Sequence, residues 1–362
     1  MSTHNYKPTA PESETRKHMR QGLLVVVVAG LIVTAGCVDI IDNVDSGEIE
    51  GDDGGESGGG IDVDGEVEIH HIDVGQADAT LVVTPAGETI LIDSGDWRQR
   101  GAGVIEYLKA HDIDRIDHLV ATHGHADHIG GHAAIIEHYE TELDGVGAAY
   151  DSGVAHTSQT YDNYLDAIEE HDVELFVVEA DDELPLSDAA VTALVHNPPP
   201  GDSGSDLHEN SVTLTIEFGD VTYLTTGDAE RTAEERMAEN RGDGLAADIY
   251  QAGHHGSSTS STSAFMDVVD PEIAIVSSGL ESQYGHPHDE VLERFADRGI
   301  ETYWTGVHGD VVVTSDGESM EVTTSEEAAT DPAALLELKP QDDEANAIDS
   351  GVISAPYMEA AL

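Results

Sequence analysis

The sequence predicts an α/β fold built on mixed sheets, and three observations carry that prediction. Short apolar segments alternate with helix-length segments over the region 66–325. Some neighbouring strands are joined by tight turns, at Pro85-Ala86-Gly87 and Gly219-Asp220, while others are separated by enough chain for a crossover helix. Hydrophobic residues make up 39% of the chain, enough for a substantial core. Hairpins join antiparallel strands and crossovers join parallel ones, so both together mean mixed sheets covered by helices.

Taken in order, Glu66–Val74 alternates apolar and polar positions, and Ala79–Thr84 and Thr89–Ile92 flank the first turn. Gly103–His111 reads as a helix, His118–Ala121 as a short buried strand running into a histidine-rich loop, and Gly131–Tyr139 as a second helix. Strands follow at Leu175–Val178, Val191–His196, Ser211–Phe218 and Val221–Thr226. Helices at Ala229–Glu239, Ser263–Val269 and Asp289–Asp297 alternate with strands at Asp248–Ala252 and Ile273–Ser277. Glu301–Trp304, Asp310–Thr314 and Ser319–Thr323 close the domain as strands. No internal repeat is present.

The flanks read differently. Arg16, Lys17 and Arg20 precede an uncharged apolar run from Leu23 to Gly36 that ends in Thr34-Ala35-Gly36-Cys37. A basic flank, a short apolar core and small residues describe an export signal at 1–37. The run is short for the roughly 20 residues of a spanning helix. The Ala-Gly-Cys ending resembles a lipoprotein signal, which would make Cys37 the lipidated first residue of the mature chain; Thr34 stands where the bacterial pattern prefers Leu. An uncleaved N-terminal membrane anchor is the alternative, and both readings place the rest of the chain outside the cytoplasm. Residues 38–65 carry ten acidic residues, eight glycines and no base, the composition of a solvated linker. Residues 326–362 carry nine acidic residues against the single Lys339 and read as an acidic C-terminal tail, with a helical turn or two available at Ala333–Leu338.

Charge narrows the function classes. Lys and Arg total 14 against 74 Asp and Glu, a formal net charge of −60. That balance argues against an electrostatically driven nucleic-acid or anionic-membrane module, so no strong nucleic-acid-binding surface is expected. Only four of the bases are Lys, and the acidic residues are spread along the whole chain, which reads as the composition of a protein from an extreme halophile. The single cysteine excludes an internal disulfide and a Cys-rich zinc module.

The chemistry is concentrated in His123-Gly124-His125-Ala126-Asp127-His128. Four candidate ligands lie within six residues directly after a buried strand. His123 and His125 can converge on one metal while Asp127 and His128 turn toward a second. Imidazoles and a carboxylate are the donors of hydrolytic Zn or Mn sites. Eighteen of the 20 histidines fall between His70 and His308, which places them with the fold rather than with the acidic flanks.

This hexad resembles the signature of the metallo-β-lactamase fold. Ile92-Asp93-Ser94-Gly95 is similar to the segment whose aspartate braces the ligand loop, and Thr226-Gly227-Asp228 to the one whose aspartate bridges two metals. More narrowly, His71-Ile72-Asp73-Val74-Gly75-Gln76-Ala77-Asp78 resembles the opening motif of the hydrolase domain of ComEC-type DNA-uptake proteins. Gly253-His254-His255-Gly256-Ser257, Tyr284-Gly285-His286-Pro287 and Gly306-Val307-His308-Gly309 extend that likeness, which runs from about Val67 to Val322. The long membrane part of those proteins has no counterpart in this sequence. The resemblance implies an αββα four-layer sandwich of two mixed sheets with the site at strand ends along one edge. It also implies a dinuclear hydrolase, with two divalent ions, Zn or Mn, activating water against an ester or a phosphodiester.

Where many relatives carry a histidine between the hexad and Asp228, this chain has His208-Glu209-Asn210-Ser211-Val212, resembling the competence subgroup, which has Asn there. His208 and His196 are candidate substitutes, with a loop-surface and a strand-end role as their alternatives. His254 and His255 are adjacent, so a simple strand end would point them opposite ways; His254 is favoured as the ligand and His255 as a substrate or packing residue. His286 is a candidate ligand or proton donor, and Asn210 and Asp127 are candidate catalytic residues. Asp73, Asp78, Asp93 and Ser257 are expected to support the ligands from outside. The resulting reading is an exported hydrolase acting on phosphodiesters such as extracellular nucleic acid. A small ester, lactone or lipid head-group is the alternative substrate, and a non-catalytic metal-dependent binding protein is a third class.

Overall fold

The computed structural model describes residues 65–201 and 203–340. The signal segment with Cys37, the linker through residue 64 and the chain beyond residue 340 lie outside the described residues. In chain order the first half comprises β1 (Val67–His71), β2 (Thr80–Val83), β3 (Thr89–Ile92), α1 (Ala102–Ala110), β4 (Ile116–Val120), α2 (His132–Glu142), β5 (Val146–Asp151), α3 (Gln159–Glu170) and β6 (Leu175–Val177). The second comprises β7 (Val191–Asn197), β8 (Thr213–Phe218), β9 (Val221–Thr225), α4 (Arg231–Arg241), β10 (Ile249–Gln251), α5 (Ser263–Val269), β11 (Ile273–Val276), α6 (Asp289–Arg298) and β12 (Glu301–Trp304). A one-turn α7 (Thr305–His308), the hairpin β13 (Val311–Ser315) and β14 (Met320–Thr324), and α8 (Pro332–Leu338) complete it.

The strands form two mixed sheets. One has the order β14-β13-β1-β2-β3-β4-β5-β6 and the other β12-β11-β10-β9-β8-β7. In the first, β14 through β3 pair antiparallel and β3 through β6 parallel. In the second, β12 through β9 run parallel, and β8 and β7 add an antiparallel edge. Alternate residues of one strand face opposite layers. Ile90 and Ile92 of β3 join Val82, Leu214, Ile216 and Ile275 in the core between the sheets. Leu91, between them, packs outward with Ile135, Ile136 and Tyr139 of α2. On the far side, Leu224 and Tyr250 meet Met237, Phe265 and Phe295 from the second set of helices. The result is the expected four-layer αββα sandwich.

Besides the single turn α7, two elements were not anticipated. β5 is built on Val-Gly-Ala-Ala-Tyr-Asp, a run with few β-branched residues, and is held by parallel pairing on both sides. α3 buries Tyr161, Tyr164 and Ile168 and is capped by the Ser158 side chain, which accepts from Tyr161 N–H.

The C-terminal boundary also needs correction. The expectation of an acidic tail from residue 326 fails up to residue 339, because that stretch folds onto the domain. Glu326 N–H donates to His308 O and Thr302 N–H to Thr330 O. Asp331 caps α8, with Pro332 in its first turn. Leu335 is fully buried among side chains that include Val291 and Phe295, and Lys339 pairs with Asp289. Two adjacent leucines after a capping aspartate outweigh the acidic composition around them.

Candidate metal centre

The candidate site lies where loops from both sheets meet. The loop after β4 carries the hexad, and the turn after β9 carries Asp228. The turn after β10 carries His254 and His255, the β7–β8 loop carries His208, and the β1–β2 loop carries Asp78. Backbone hydrogen bonds knit these loops together. Ser94 N–H donates to His128 O, Asp78 N–H to Asp127 O and His254 N–H to Gly227 O. Gly227 has φ +49°, and a Cβ there would stand 2.4 Å from Ser211 Oγ, so a glycine lets the Asp228 turn approach that close.

Two ligand sets share Asp228. In the first, His123, His125, His208 and Asp228 offer donor atoms within 4.8 Å of one another. His125 Nδ1 is 2.9 Å from His123 Nε2 and 3.2 Å from His208 Nε2. In the second set, Asp78, His128, Asp228 and His255 converge within the same limit, all four buried. His128 Nε2 lies 3.1 Å from Asp228 Oδ1, and His255 Nε2 lies 3.5 Å from Asp127 Oδ2.

The outer nitrogens fix how these rings face. His128 Nδ1 is 2.7 Å from Asp93 Oδ2, and Asp93 also accepts from the Thr122 N–H and hydroxyl. His255 Nδ1 donates to Ser277 O at 3.1 Å. With the outer nitrogens so engaged, both Nε2 atoms face the centre, the arrangement that orients metal-binding imidazoles. Glu230 plays the corresponding part for the first set. Its Oε1 lies 3.5 Å from His208 Nδ1 and 3.3 Å from His254 Nδ1, while both Nε2 atoms face Asp228 Oδ2 at 3.9 and 3.6 Å.

Charge follows from this packing. Burial pulls His123 well below its ordinary pKa, with His128 pushing the same way, and burial together with His208 takes His125 down to about 4. Burial acts on His128 and His255 too, but there carboxylates outweigh it: Asp228 and Asp93 hold His128 well above its ordinary value, and Asp78 and Asp228 hold His255 there. Burial would raise Asp228, yet His128, His255 and His123 hold it well below. The carboxylates therefore favour positive charge around His128 and His255, while His123 and His125 are held neutral.

The residues fit a divalent cation. His128 Nε2, Asp228 Oδ1, Asp78 Oδ1 and His255 Nε2 are buried and make no hydrogen bond. Buried polar atoms are rarely left unpaired, and imidazole nitrogens with carboxylate oxygens are the donors such cations take.

The remaining candidates fall around this centre or away from it. Asp127 is half-buried at its mouth. His286 stacks on His255 at 6.2 Å between ring centroids and contacts Gln76 Nε2 through Nδ1 at 3.3 Å. Asp93 supports His128 as expected, whereas Asp78, also expected outside the ligands, stands among the four converging donors. Both members of the His254–His255 pair stand among converging donors: His255 joins the buried second set, and His254 forms a third, half-buried group with His208 and Glu230. The reason is backbone: His254 and His255 both take left-handed conformations, φ +52° and +57°, so adjacent rings turn to the same side. Asn210 is not among the converging donors. Its side-chain amide donates to Asp206 O at 2.7 Å and braces the loop that carries His208. His196 bonds Thr215 Oγ1 at 2.8 Å and joins neither set. Asp73 caps its own turn through Gly75 N–H, and Ser257 pairs with Thr259 Oγ1 beside His254. Glu230 was missed; its place two residues after Asp228 is the only signal the sequence offered.

Comparison with known proteins agrees with this architecture. Residues 72–279, more than half of the chain, match the metallo-beta-lactamase superfamily. The chain is 28% identical over 262 residues to ComE operon protein 3 of Bacillus subtilis (strain 168), covering 68% of this chain and 33% of that protein. It is also 28% identical over 237 residues to Competence protein ComA of Neisseria gonorrhoeae, covering 66% of this chain and 30% of that one. The chain spans about a third of the length of the curated relatives it matches. Among solved structures, the metallo-beta-lactamase fold protein YhfI from Bacillus subtilis superposes with a TM-score of 0.41 at 12% identity, over 68% of this chain and 96% of that one. With the matched residues running from the opening motif through the strand that follows the double histidine, this chain belongs to the metallo-beta-lactamase superfamily.

Proposed function

We propose that this chain is an exported hydrolase that holds two divalent ions, Zn or Mn, and cleaves phosphodiesters of extracellular nucleic acid. One observation carries the reading: two sets of imidazole and carboxylate donors, one fully buried and one half-buried, share Asp228 beside the half-buried Asp127. The likeness to competence proteins supports the choice of phosphodiester over carboxylic ester. Divalent cations held by these donors would supply water activation at neutral pH and Lewis-acid relief of charge on the reacting group.

The chain's own residues do the rest. Asp228 faces both sets and fixes their separation. Asp93, Ser277 O and Glu230 keep the ligand rings aimed inward. The Gln76 side-chain amide lies 3.3 Å from His286 Nδ1 and holds that ring beside the centre; burial takes the imidazole down to about 3, so it is neutral and serves to position the substrate. The membrane role rests on the N-terminal sequence, with Cys37 as the lipid-bearing residue and residues 38–65 as the tether.

The test is hydrolysis of bis-p-nitrophenyl phosphate and single-stranded DNA by metal-loaded protein in rising salt. The net charge of −60 repels a polyanion at low ionic strength. Activity is therefore expected to rise with salt, where ordinary nucleases lose affinity as counterions compete. A chelator abolishes it and Mn or Zn restores it. Folded, metal-loaded protein that ignores phosphodiesters and opens lactones or carboxylic esters would overturn the reading.

A further inference from the structure

Beside the metal ligands, a cleft of about 180 Å³ is lined by Gln76, Asp96, Trp97, Arg98, Asp127 and Tyr284 among others. Two of its walls are aromatic and turned to water. Trp97 is 50% exposed and Tyr284 57% exposed, and both rank among the few large hydrophobic side chains left open on the described surface. Large exposed rings beside a polar centre mark a binding surface rather than a packing accident. Trp97 is also held in place relative to the chemistry. Its backbone N–H donates to Ala126 O, between His125 and Asp127, at 3.0 Å. Arg98 lies over the indole, 5.1 Å from the ring centroid, and pairs with Asp96 at 3.0 Å. Opposite, Tyr284 sits 5.7 Å from the His286 ring, and its carbonyl accepts from His288 Nε2.

We propose that Trp97 and Tyr284, with Arg98 ordering the indole, form a stacking subsite for an unpaired nucleobase next to the scissile phosphate. The proposal rests on the phosphodiesterase reading and adds what the rest of the surface lacks, a source of affinity for nucleic acid. A chain with 14 basic and 74 acidic residues cannot draw its substrate in by phosphate attraction. Arg98 does not reverse this, since Asp96 already neutralises it. Stacking needs no net charge, survives high salt and accepts any base, because every base has a π-face. A duplex hides those faces, so the subsite selects single strands or frayed ends.

The experiment compares an oligothymidylate with an abasic deoxyribose-phosphate chain of equal length, using metal-loaded full-length protein in high salt. Of the two tryptophans, Trp304 is fully buried, so quenching by an added chain reports Trp97. The oligothymidylate should quench and bind about tenfold or more tightly than the abasic chain. Trp97→Ala and Tyr284→Ala should each raise KM for the oligothymidylate about tenfold with kcat little changed, and leave cleavage of the abasic chain as it was. Equal binding of the two chains, or variants indistinguishable from the parent, would overturn the subsite while phosphodiester cleavage stood. Base-dependent quenching without cleavage of either chain would uphold the subsite and overturn the proposed reaction. Neither quenching nor cleavage would overturn both.

Discussion

Replacing Glu230 with Gln separates the two ligand sets from each other. The Glu230 carboxylate faces the outer nitrogens of His208 and His254 at 3.5 and 3.3 Å, and nothing comparable links it to His128 or His255. Removing an outer partner of a metal-binding imidazole typically costs 10–100-fold in affinity, roughly 1.4–2.7 kcal/mol. The Glu230 side chain is 32% exposed, so water can take part of its place, and Gln keeps one acceptor oxygen. The expected loss is therefore near the low end, about tenfold, or ~1.4 kcal/mol. It should be confined to the position held by His123, His125 and His208. The second position relies on Asp93 and Ser277 O and should be unchanged. Cobalt(II) titration followed by visible absorption, with calorimetry for stoichiometry, reads the two positions separately. His208→Ala, which removes a direct donor, should cost more than Glu230→Gln at the same position. If Glu230→Gln left both affinities as they were, or weakened the second position as much as the first, the orienting role would be refuted.

Other consequences are accessible to similar means. Asp228→Ala should lose both metals by elemental analysis, since the shared carboxylate has no substitute among its neighbours, whereas His123→Ala should deplete mainly one. Burial carries the Asp151 carboxyl from its ordinary 3.8 up to about 6, so its contribution to stability is full below pH 3.8 and lost as pH rises through 6. Asp151→Asn keeps the oxygen that accepts Gly153 N–H; in denaturant unfolding it should match the parent at pH 3.5 and exceed it at pH 8 by up to about 3 kcal/mol. A parent whose stability relative to the variant is flat with pH would contradict this. Cys37→Ser should release the protein from the membrane or block its processing, read by fractionation and mass; unchanged size and retention would exclude lipidation.

Much of the fold was written in local pattern. β11 is an unbroken apolar run, β3 is one after its opening Thr89, and α6 carries its apolar residues on one face. β5 was hidden because glycine and alanine carry almost no strand signal; only its place between β4 and β6 makes it a strand. α3 was legible in principle, since Tyr161, Tyr164 and Ile168 recur at helical spacing after Ser158, but its many polar residues masked the stripe. In the site, the hexad announced itself by spacing, and Asp228 came from the resemblance of Thr226-Gly227-Asp228 to the family's bridging segment. That His254 and His255 both face the centre could not be seen, because side-chain direction there depends on two left-handed residues that strand geometry does not foresee. Asp78 and Glu230 were likewise out of reach, since their partners lie far away in sequence and only the meeting of loops reveals them.

The split origin of the ligands gives the site a mechanical meaning. His123, His125 and His128 hang from the first sheet, and His208, Asp228 and His255 from the second. Between the sheets lies a large hydrocarbon cluster, crossed by the buried Thr80–Gln251 hydrogen bond; the hydrocarbon resists separation but tolerates small sliding. Divalent ions held from both sides would work as rivets across that interface. Each tenfold excess of free metal over its dissociation constant tightens the folded state by about 1.4 kcal/mol. Stripping the ions would thus first free the two layers to shift along this edge, and proteases would find the hexad loop and the double-histidine turn before they found any strand.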